Sequence, residues 1–356
     1  MGVKVKPKPF LIVLIIIAIL LIGFGCSWIY LVGPVNKNSN DDVKITIKSG
    51  TSTLKIAEIL KENKIIKSKL IFRLYIKLNH VNSLKASTYR FRQSMSLDEV
   101  VKLLEDGRIN NEDALKLIFK PGERITNYAR VISNNTSADY DDVIALMKDK
   151  EYIKELIDKY WFLTDKILDE NIYYPLEGYL AADTYYFDDD KVDTKDIIKR
   201  LLDKENDNLE KYKSILVNDP HYYITMASVV QLEGTNTENR KKIVGTFKNR
   251  LSSGYNMGSD VTTYYALQVD MKEDLSIEQF MTVNPYNTRA ANMINKMPIG
   301  PICNPSMSSI EASVYPEDSN YLFFVADKHG NIYFTNTNAE HDKKVAEIKA
   351  KGDWIF

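Results

Sequence analysis

One glutamate in this 356-residue sequence stands where a carboxyl group loses much of its hydration. Glu233 ends an apolar helical run that begins at Ile224. Helical spacing stacks its side chain below Val229 and Val230, so we predict that it lies on the apolar face. Loss of water disfavours the charged carboxylate and raises its pKa toward neutral. A carboxyl group that stays protonated near neutral pH can serve as the general acid at a glycosidic bond.

The same residue has a plainer interpretation, because a glutamate at a helix end is more often solvated or part of a cap. The surrounding sequence predicts a sharp joint between two helices. Gly234 suits the left-handed residue that commonly ends a helix. Thr235 and Glu238 have the spacing of a capping box, which begins a second helix that we expect to stop at Gly254.

Three polar segments follow this helix pair, at 257–264, 284–288 and 300–305. Their glycine, proline, asparagine and aspartate content is typical of turns whose side chains can face a ligand. Amide side chains suit sugar hydroxyl and N-acetyl groups because they both donate and accept hydrogen bonds. Each residue also has a structural alternative, as an Asx turn or as loop packing. The candidate substrate-binding residues are Asp260, Asn284, Tyr286, Asn287 and Thr288.

Composition excludes several other classes of function. The chain has 47 basic and 48 acidic residues, a balance that does not favour nucleic acid as a partner. Its two cysteines, Cys26 and Cys303, do not form a disulfide framework. The four histidines show no ligand spacing, so we predict no metal site and no cofactor. A hydrophobic content of 44% is sufficient for two domains with real cores.

The N-terminal region reads as a membrane anchor. Residues 10–33 carry no charge and are long enough to span a bilayer. Basic residues in 1–9 predict a cytoplasmic N-terminus and hence a single-pass protein of the cell membrane with its remainder outside. The alternatives are a cleaved signal peptide and a lipoprotein signal ending at Cys26. A polar linker at 34–42 follows.

An internal quasi-repeat dominates the next region. IKSGTSTLKIAEIL, from Ile47, aligns without gaps with FKPGERITNYARVI, from Phe119. Each copy predicts a short strand, a glycine turn and an amphipathic helix. We therefore expect a small α+β module over 43–139, followed by a catalytic domain over 140–356. The module either binds a polysaccharide or serves as a spacer, and its residues do not decide between these roles.

Several short segments, taken in order, carry a resemblance to a known family. They are ASVVQLEG at Ala227, KNRL at Lys248, SD-x-T-x-Y at Ser259, NPYNT at Asn284, GPICNP at Gly300, YLFFVAD at Tyr321, and EGYL with DTY from Glu177. In these segments the chain resembles the MltG/YceG family of membrane-anchored endolytic murein transglycosylases.

The resemblance implies an α+β fold in which a transmembrane helix is followed by a LysM-like module and an α+β catalytic domain. It places the catalytic glutamate on Glu233. The implied reaction cleaves the β-1,4 bond between N-acetylmuramic acid and N-acetylglucosamine within peptidoglycan strands, leaving a 1,6-anhydro end without a cofactor. The implied role is in cell wall assembly, terminating nascent strands, with cell-wall synthases as further partners.

The chain departs from the family pattern near this glutamate. Gln231 stands where the family often has glutamate, Val261 replaces a usual proline, and Ala181 and Ala182 alter the EGYL segment. A specialised relative is therefore one interpretation. Two other functions stay open: a glycoside hydrolase in which a second carboxylate such as Asp260 activates water, and a catalytically silent cell-wall-binding scaffold.

Overall fold

The protein is represented by a computed structural model. It describes residues 20, 22–23, 25–39, 41–48, 50–81, 83–107, 114–187 and 190–354. The chain divides into two compact units. Unit 1 comprises 1–116 with 186–189, and unit 2 comprises 117–185 with 190–356. The described residues form a helix-rich α+β protein with three two-stranded sheets.

The predicted membrane anchor requires a correction. Within the part of the chain that the structure describes, no helix is both long enough and apolar enough to cross a membrane. Half of the predicted span, residues 10–19, 21 and 24, lies outside the described residues. The finding contradicts the transmembrane helix of the predicted fold and the single-pass membrane localisation derived from it. The transmembrane helix was predicted from the uncharged, apolar segment 10–33 and from the family resemblance, and the localisation also from the basic residues in 1–9.

Unit 1 is built around one antiparallel pair of strands. Its elements are β1 (Asp42–Ile47), α1 (Thr53–Glu62), α2 (Lys69–Leu78), β2 (Ser87–Arg92) and α3 (Leu97–Asp106). The strands pair with Ile45 opposite Tyr89, and both side chains are buried. On the other face Thr46 and Thr88 join their hydroxyl groups at 2.9 Å. The strand alternation therefore places one face on the core, as period-two patterning requires.

Unit 2 contains the remaining helices and two strand pairs. The first pair is β3 (Leu115–Ile118) with β4 (Thr184–Phe187), and the boundary between the units falls within both strands. The helices up to the glutamate are α4 (Ile125–Asn135), α5 (Tyr140–Lys148), α6 (Lys150–Lys159), α7 (Thr194–Leu209), α8 (Lys213–Leu216) and α9 (Pro220–Glu233). After it come α10 (Thr237–Ser252), α11 (Asp260–Ala266), α12 (Ile277–Phe280), α13 (Met307–Val314), the hairpin β5 (Phe323–Ala326) and β6 (Ile332–Thr335), and α14 (Asn338–Ala350).

The two copies of the quasi-repeat have the same local structure. Each places a glycine with positive φ between its strand and its helix, Gly50 at 77° and Gly122 at 83°. The aligned helix positions 56/128, 57/129 and 60/132 are all buried. The second copy begins directly after β3 and lies in unit 2, whereas the first copy lies in unit 1. The alignment of the two copies describes their local structure, whereas tertiary contacts determine the boundary between unit 1 and unit 2.

Helix α9 lies in the core of unit 2. Its residues from Ile224 to Val230 are buried on every side rather than along one stripe. Met226, Val229 and Val230 share a hydrophobic cluster with Phe247 of α10. A helix that is apolar all round is a core helix, so Glu233 is the polar end of a rigid, fully packed element.

Candidate active site

The end of α9 is held by a cation from the next helix. Gly234 follows Glu233 in an extended conformation with φ of −110°, not in the left-handed conformation predicted for it. Its carbonyl oxygen accepts a hydrogen bond from Arg240 Nε at 3.1 Å. Arg240 Nη1 also donates to Ser308 Oγ at 2.7 Å. The N–H of Gly234 donates to the Val230 carbonyl oxygen, and the charged side chain of Arg240 binds the carbonyl oxygen of Gly234 itself.

The next helix begins one residue later than the capping box predicts. Asn236 is the N-cap of α10, and its side chain accepts from the backbone N–H of Asn239. The predicted pair, Thr235 and Glu238, does not form the box. Asparagine is at least as good an N-cap as threonine, which accounts for the helix start at Asn236.

Within the described part of the chain, the carboxyl group of Glu233 has one side-chain hydrogen-bond partner. Ser259 Oγ donates a hydrogen bond to Glu233 Oε1 at 2.5 Å. Burial raises the pKa of Glu233 to about 7, the Ser259 hydrogen bond opposes that rise, and the charge of Asp260 adds to it. The Arg289 guanidinium lowers the pKa. Desolvation dominates, so the group can hold a proton near neutral pH, in the direction that the sequence predicts.

Ser259 is itself fixed by a group of buried threonines. Its backbone N–H donates to Thr288 Oγ1 at 3.0 Å, and its carbonyl oxygen accepts from Thr262 Oγ1 at 2.6 Å. The hydroxyl groups of Thr262 and Thr288 are 2.8 Å apart. Both threonines have no exposed surface. The candidate ligand Thr288 therefore supports the serine that contacts Glu233 and is not open to a sugar in this structure.

Asp260 is placed beside the glutamate, at the first position of α11 and not in the turn expected for 257–264. Its carboxylate forms an ion pair with Arg289 Nη1. About half of the Asp260 side chain, 49%, is exposed to solvent. Of the five candidate binding residues, Asp260 has the most accessible position next to Glu233 Oε1 and its serine.

The other three candidates, Asn284, Tyr286 and Asn287, were expected to face a ligand. Their side chains instead contact other parts of the protein and hold the loop in place. Asn287 is fully buried, and its Nδ2 donates to the carbonyl oxygens of Phe280 and Thr282 at 2.9 and 2.7 Å. Asn284 Nδ2 donates to Tyr173 OH at 2.7 Å. Each asparagine is thus engaged in holding the 280–288 loop in place.

Tyr286 lies under the same loop and does not offer its ring to solvent. It is 1% exposed, and its ring packs against those of Tyr173 and Tyr265, with centroids 4.9 and 4.8 Å away. Stacking on a sugar would require this aromatic cluster to open. Tyr286 therefore packs the loop, the alternative that its sequence position left open.

A second carboxyl group of unit 2 is buried, and among the described residues no cation forms an ion pair with it. Glu177 is 1% exposed and accepts hydrogen bonds from the backbone N–H of Ile125 at 2.9 Å and from Tyr265 OH at 3.1 Å. Burial raises its pKa to about 8. It connects the start of α4 to the end of α11, a structural position, as its sequence context indicates.

Sequence reasoning missed Ser259 and Arg289. Each adjoins a selected residue, Asp260 or Thr288. Ser259 begins the SD-x-T-x-Y segment, but the turn expected over 257–264 gave its hydroxyl group no partner. The charge of Arg289 beside a polar turn was the available signal for an ion pair with Asp260.

The described residues hold no other cluster that competes with this one for chemistry. No group of three or more His, Cys, Asp or Glu in the described part of the chain is arranged to hold a metal ion. A pocket of about 470 Å³ near His221 does not include Glu233. Both ring nitrogens of His221 are engaged, with Tyr179 OH and the Ile299 carbonyl oxygen, each at 2.7 Å. We therefore place the candidate active site at Glu233.

The sequence profile of the YceG-like family matches residues 45–347, most of the chain and all of the Glu233 cluster. The chain belongs to the YceG-like family. The family was suggested above by short segments around Glu233, Ser259 and Asn284, and these lie within the matched range.

Proteins similar to this chain are named endolytic murein transglycosylases. An endolytic murein transglycosylase of Bacillus subtilis (strain 168) is 34% identical over 341 residues, covering 92% of this chain and 92% of the relative. The endolytic murein transglycosylase of Streptococcus pneumoniae serotype 2 (strain D39) is 30% identical over 336 residues. The alignment covers 88% of this chain but only 60% of the pneumococcal protein.

A crystal structure of a relative shows the same fold. A yceG-like protein from Listeria monocytogenes superposes with a TM-score of 0.60 at 32% sequence identity. The match covers 85% of this chain and 99% of the Listeria chain. The family's fold is therefore shared by this protein.

Proposed function

We propose that this protein is a peptidoglycan lytic transglycosylase in which Glu233 is the general acid and base. The observation that carries the proposal is the position of Glu233 at the end of a packed helix, with its carboxyl group bound by Ser259 Oγ and its pKa raised to about 7 by burial. The names of the Bacillus and Streptococcus relatives supply the substrate class, murein. An enzyme acting within strands would set their length during cell wall assembly, beside the synthases that extend them.

The proposed reaction needs one carboxyl group and no cofactor. Glu233 transfers its proton to the glycosidic oxygen as the bond from that oxygen to C1 of N-acetylmuramic acid breaks. The resulting carboxylate then takes the proton of the same sugar's C6 hydroxyl, whose oxygen bonds to C1. The products are a 1,6-anhydro end and a free hydroxyl on the released chain. Glu233 regains its proton, and no water is consumed.

A glycoside hydrolase is the second candidate, because Asp260 lies close enough to influence the pKa of Glu233. In that mechanism Asp260 would be the base that activates water. Asp260 is instead engaged by the guanidinium of Arg289. A carboxylate engaged in an ion pair must leave its cation before it can orient and deprotonate a water molecule, and this favours the mechanism with one carboxyl group.

The test is the mass of the products from purified glycan strands. We expect wild-type protein to release fragments with ends lighter by one water than hydrolytic ends. Glu233→Gln keeps the size of the side chain but removes the proton donor, so the rate should fall at least ~10²-fold. Glu238→Gln, at an exposed glutamate of α10, is the matched control and should leave the rate unchanged.

Three outcomes contradict the proposal. Hydrolytic ends from wild-type protein would indicate the second mechanism. Binding of strands without cleavage would indicate a scaffold. A folded Glu233→Gln variant with the wild-type rate would remove Glu233 from the reaction.

A further inference from the structure

Ser259 does not use its hydroxyl group as its position predicts. It is the residue before α11, with the extended backbone of an N-cap, φ of −92° and ψ of 123°. A serine there usually accepts a hydrogen bond from an amide of its own helix. No such side-chain cap is present at α11. The hydroxyl instead donates to Glu233 Oε1 at 2.5 Å.

The backbone of Ser259 is held on both sides, which fixes the position of its side chain. Ser259 is 2% exposed, and its N–H and carbonyl groups are both bound by buried threonine hydroxyl groups. A buried, fully satisfied hydrogen-bond group is rigid. The contact with Glu233 is therefore built into the fold.

We infer that Ser259 is a positioning residue that occupies Oε1 of Glu233, assigns the acid proton to Oε2, and stabilises the carboxylate as that proton leaves. The inference rests on the proposed function for its catalytic consequence. Because Oε1 already accepts a hydrogen bond, Oε2 is the oxygen that carries the proton to be transferred. As negative charge develops on the carboxyl group, the Ser259 hydrogen bond becomes charge-assisted and stronger. An interaction that strengthens toward the transition state raises the rate of the chemical step.

The direction of this hydrogen bond determines the sign of a measurable change. A bond donated by Ser259 favours the charged form of Glu233, so its removal must raise the pKa of Glu233. If Glu233 carried its proton on Oε1 and donated to Ser259, the bond would favour the neutral form. Its removal would then lower the pKa. The two arrangements share one geometry and predict opposite shifts.

The experiment titrates Glu233 directly in the full-length protein. Carboxyl carbons of glutamate are labelled with ¹³C, and the Glu233 signal is assigned by its absence in Glu233→Gln. The series Ser259, Ser259→Cys and Ser259→Ala replaces a strong donor by a weak donor of similar size and then by none. We expect the pKa of Glu233 to rise along this series, by about one unit at alanine, the size expected for a hydrogen bond to a charged group.

Activity supplies the second readout. In Ser259→Ala the plateau kcat should fall about 10-fold with little change in KM, even though Glu233 stays protonated to higher pH. The matched control is Ser313→Ala, since Ser313 is 4% exposed and donates its hydroxyl to the Ile310 carbonyl oxygen at 2.8 Å. That variant should change neither the titration nor kcat. Thermal melting of each variant establishes that it is folded.

An unchanged or lowered pKa of Glu233 in Ser259→Ala would overturn the inference. If that variant does not fold, the Ser259→Cys titration decides the sign alone. Because the titration needs no glycan, it is independent of the proposed reaction. Wild-type protein that cleaves nothing would remove the proposed function and leave the measured role of Ser259 in the titration intact.

Discussion

Asp260 and Arg289 form an ion pair directly next to the hydrogen bond that joins Ser259 to Thr288. The segments 258–260 and 287–289 are thus linked twice. The backbone N–H of Ser259 binds the buried Thr288 hydroxyl group, and at the next position the exposed side chains of Asp260 and Arg289 form the ion pair. The two charges act on Glu233 in opposite directions, since Asp260 raises its pKa and Arg289 lowers it. The ion pair holds the two segments together. Its two charges have opposite effects on the pKa of Glu233, so they partly cancel.

The first prediction follows from this pair. Asp260→Asn removes a charge that raises the pKa of Glu233 and leaves Arg289, which lowers it. The basic limb of the pH–rate profile should therefore move to lower pH, by less than about one unit because both side chains are solvent-exposed. The product should keep its anhydro end. Rates over a range of pH, with product mass, provide the measurement.

A control for this variant is available in unit 1, where Asp42 pairs with Arg92 at 2.8 Å with similar exposure. Asp42→Asn should not move the profile. A loss of cleavage of ~10²-fold or more in Asp260→Asn at every pH would instead assign Asp260 a catalytic role.

The second prediction concerns the pH dependence of the wild-type enzyme. Glu233 must be protonated to act as an acid, and its pKa is about 7. The value of kcat/KM for glycan strands should therefore decline above about pH 7, tenfold per unit at the limit. The ordinary glutamate pKa would put this decline below pH 5. A profile that stays level to pH 9 would show that Glu233 is not the proton donor.

Much of the local structure was predictable because short-range patterns control it. In the quasi-repeat, Gly50 and Gly122 share a positive φ, and the aligned Ile56 and Tyr128 are both buried. The hairpin strand Ile332–Thr335 consists of β-branched and aromatic residues, the types that favour strands. Periodicity did not give the division between units, because that depends on contacts between distant segments.

The site was predictable only at its centre. Glu233 stands out because a charged residue ends an apolar helix, which is a local signal. Ser259 and Thr288 are 29 residues apart in the chain, and nothing in either segment encodes their contact. Tyr286 and Asn287 have the residue types of a sugar site, yet tertiary packing buries both. Residue type indicates which hydrogen bonds a side chain can make, and the fold decides whether the partner is the loop or a ligand.

The third prediction uses the buried Glu177, whose pKa is raised to about 8. The folded protein keeps this group protonated in a range where the unfolded chain, with a pKa near 4.5, has lost the proton. Because the folded state then binds more protons, this group makes stability decrease as the pH rises from about 4.5 to about 8. Glu177→Gln removes this dependence and should make the free energy of unfolding less sensitive to pH in that window.

Urea denaturation at pH 5.5 and pH 8 measures the effect of Glu177→Gln. The glutamine oxygen can still accept from the Ile125 amide, so the variant should fold at both values. The matched control is Glu123→Gln, a conservative change on the same chain segment as Ile125, which should keep the wild-type pH dependence. An unchanged difference between pH 5.5 and pH 8 in Glu177→Gln would mean that the group is ionised in the folded protein.

The last prediction concerns Gln231, two residues before Glu233. Its Oε1 accepts three hydrogen bonds, from the N–H of Ser306 at 2.9 Å and from the hydroxyl groups of Ser306 and Ser309 at 2.7 and 2.8 Å. These donors lie at the start of α13, so Gln231 fastens the last turns of α9 to the beginning of that helix. The oxygen faces only donors, an environment that suits a carboxylate equally well.

Gln231→Glu should therefore preserve activity at neutral pH. The new carboxylate would accept the same three hydrogen bonds near a helix N-terminus, where negative charge is favourable. Its pKa should lie below the usual glutamate value, so any gain in stability should be present at pH 7 and disappear as the pH falls through that lowered value.

Gln231→Ala leaves the serine donors without their acceptor and should cost ~1–3 kcal/mol in the free energy of unfolding. The measurements are the free energy of unfolding at pH 7 and the rate of cleavage of glycan strands. They compare Gln231→Glu, which keeps an acceptor oxygen, with Gln231→Ala, which removes it. If the glutamate variant were as destabilised as the alanine variant, the amide nitrogen of Gln231, and not its oxygen, would be the atom that holds α9 in place.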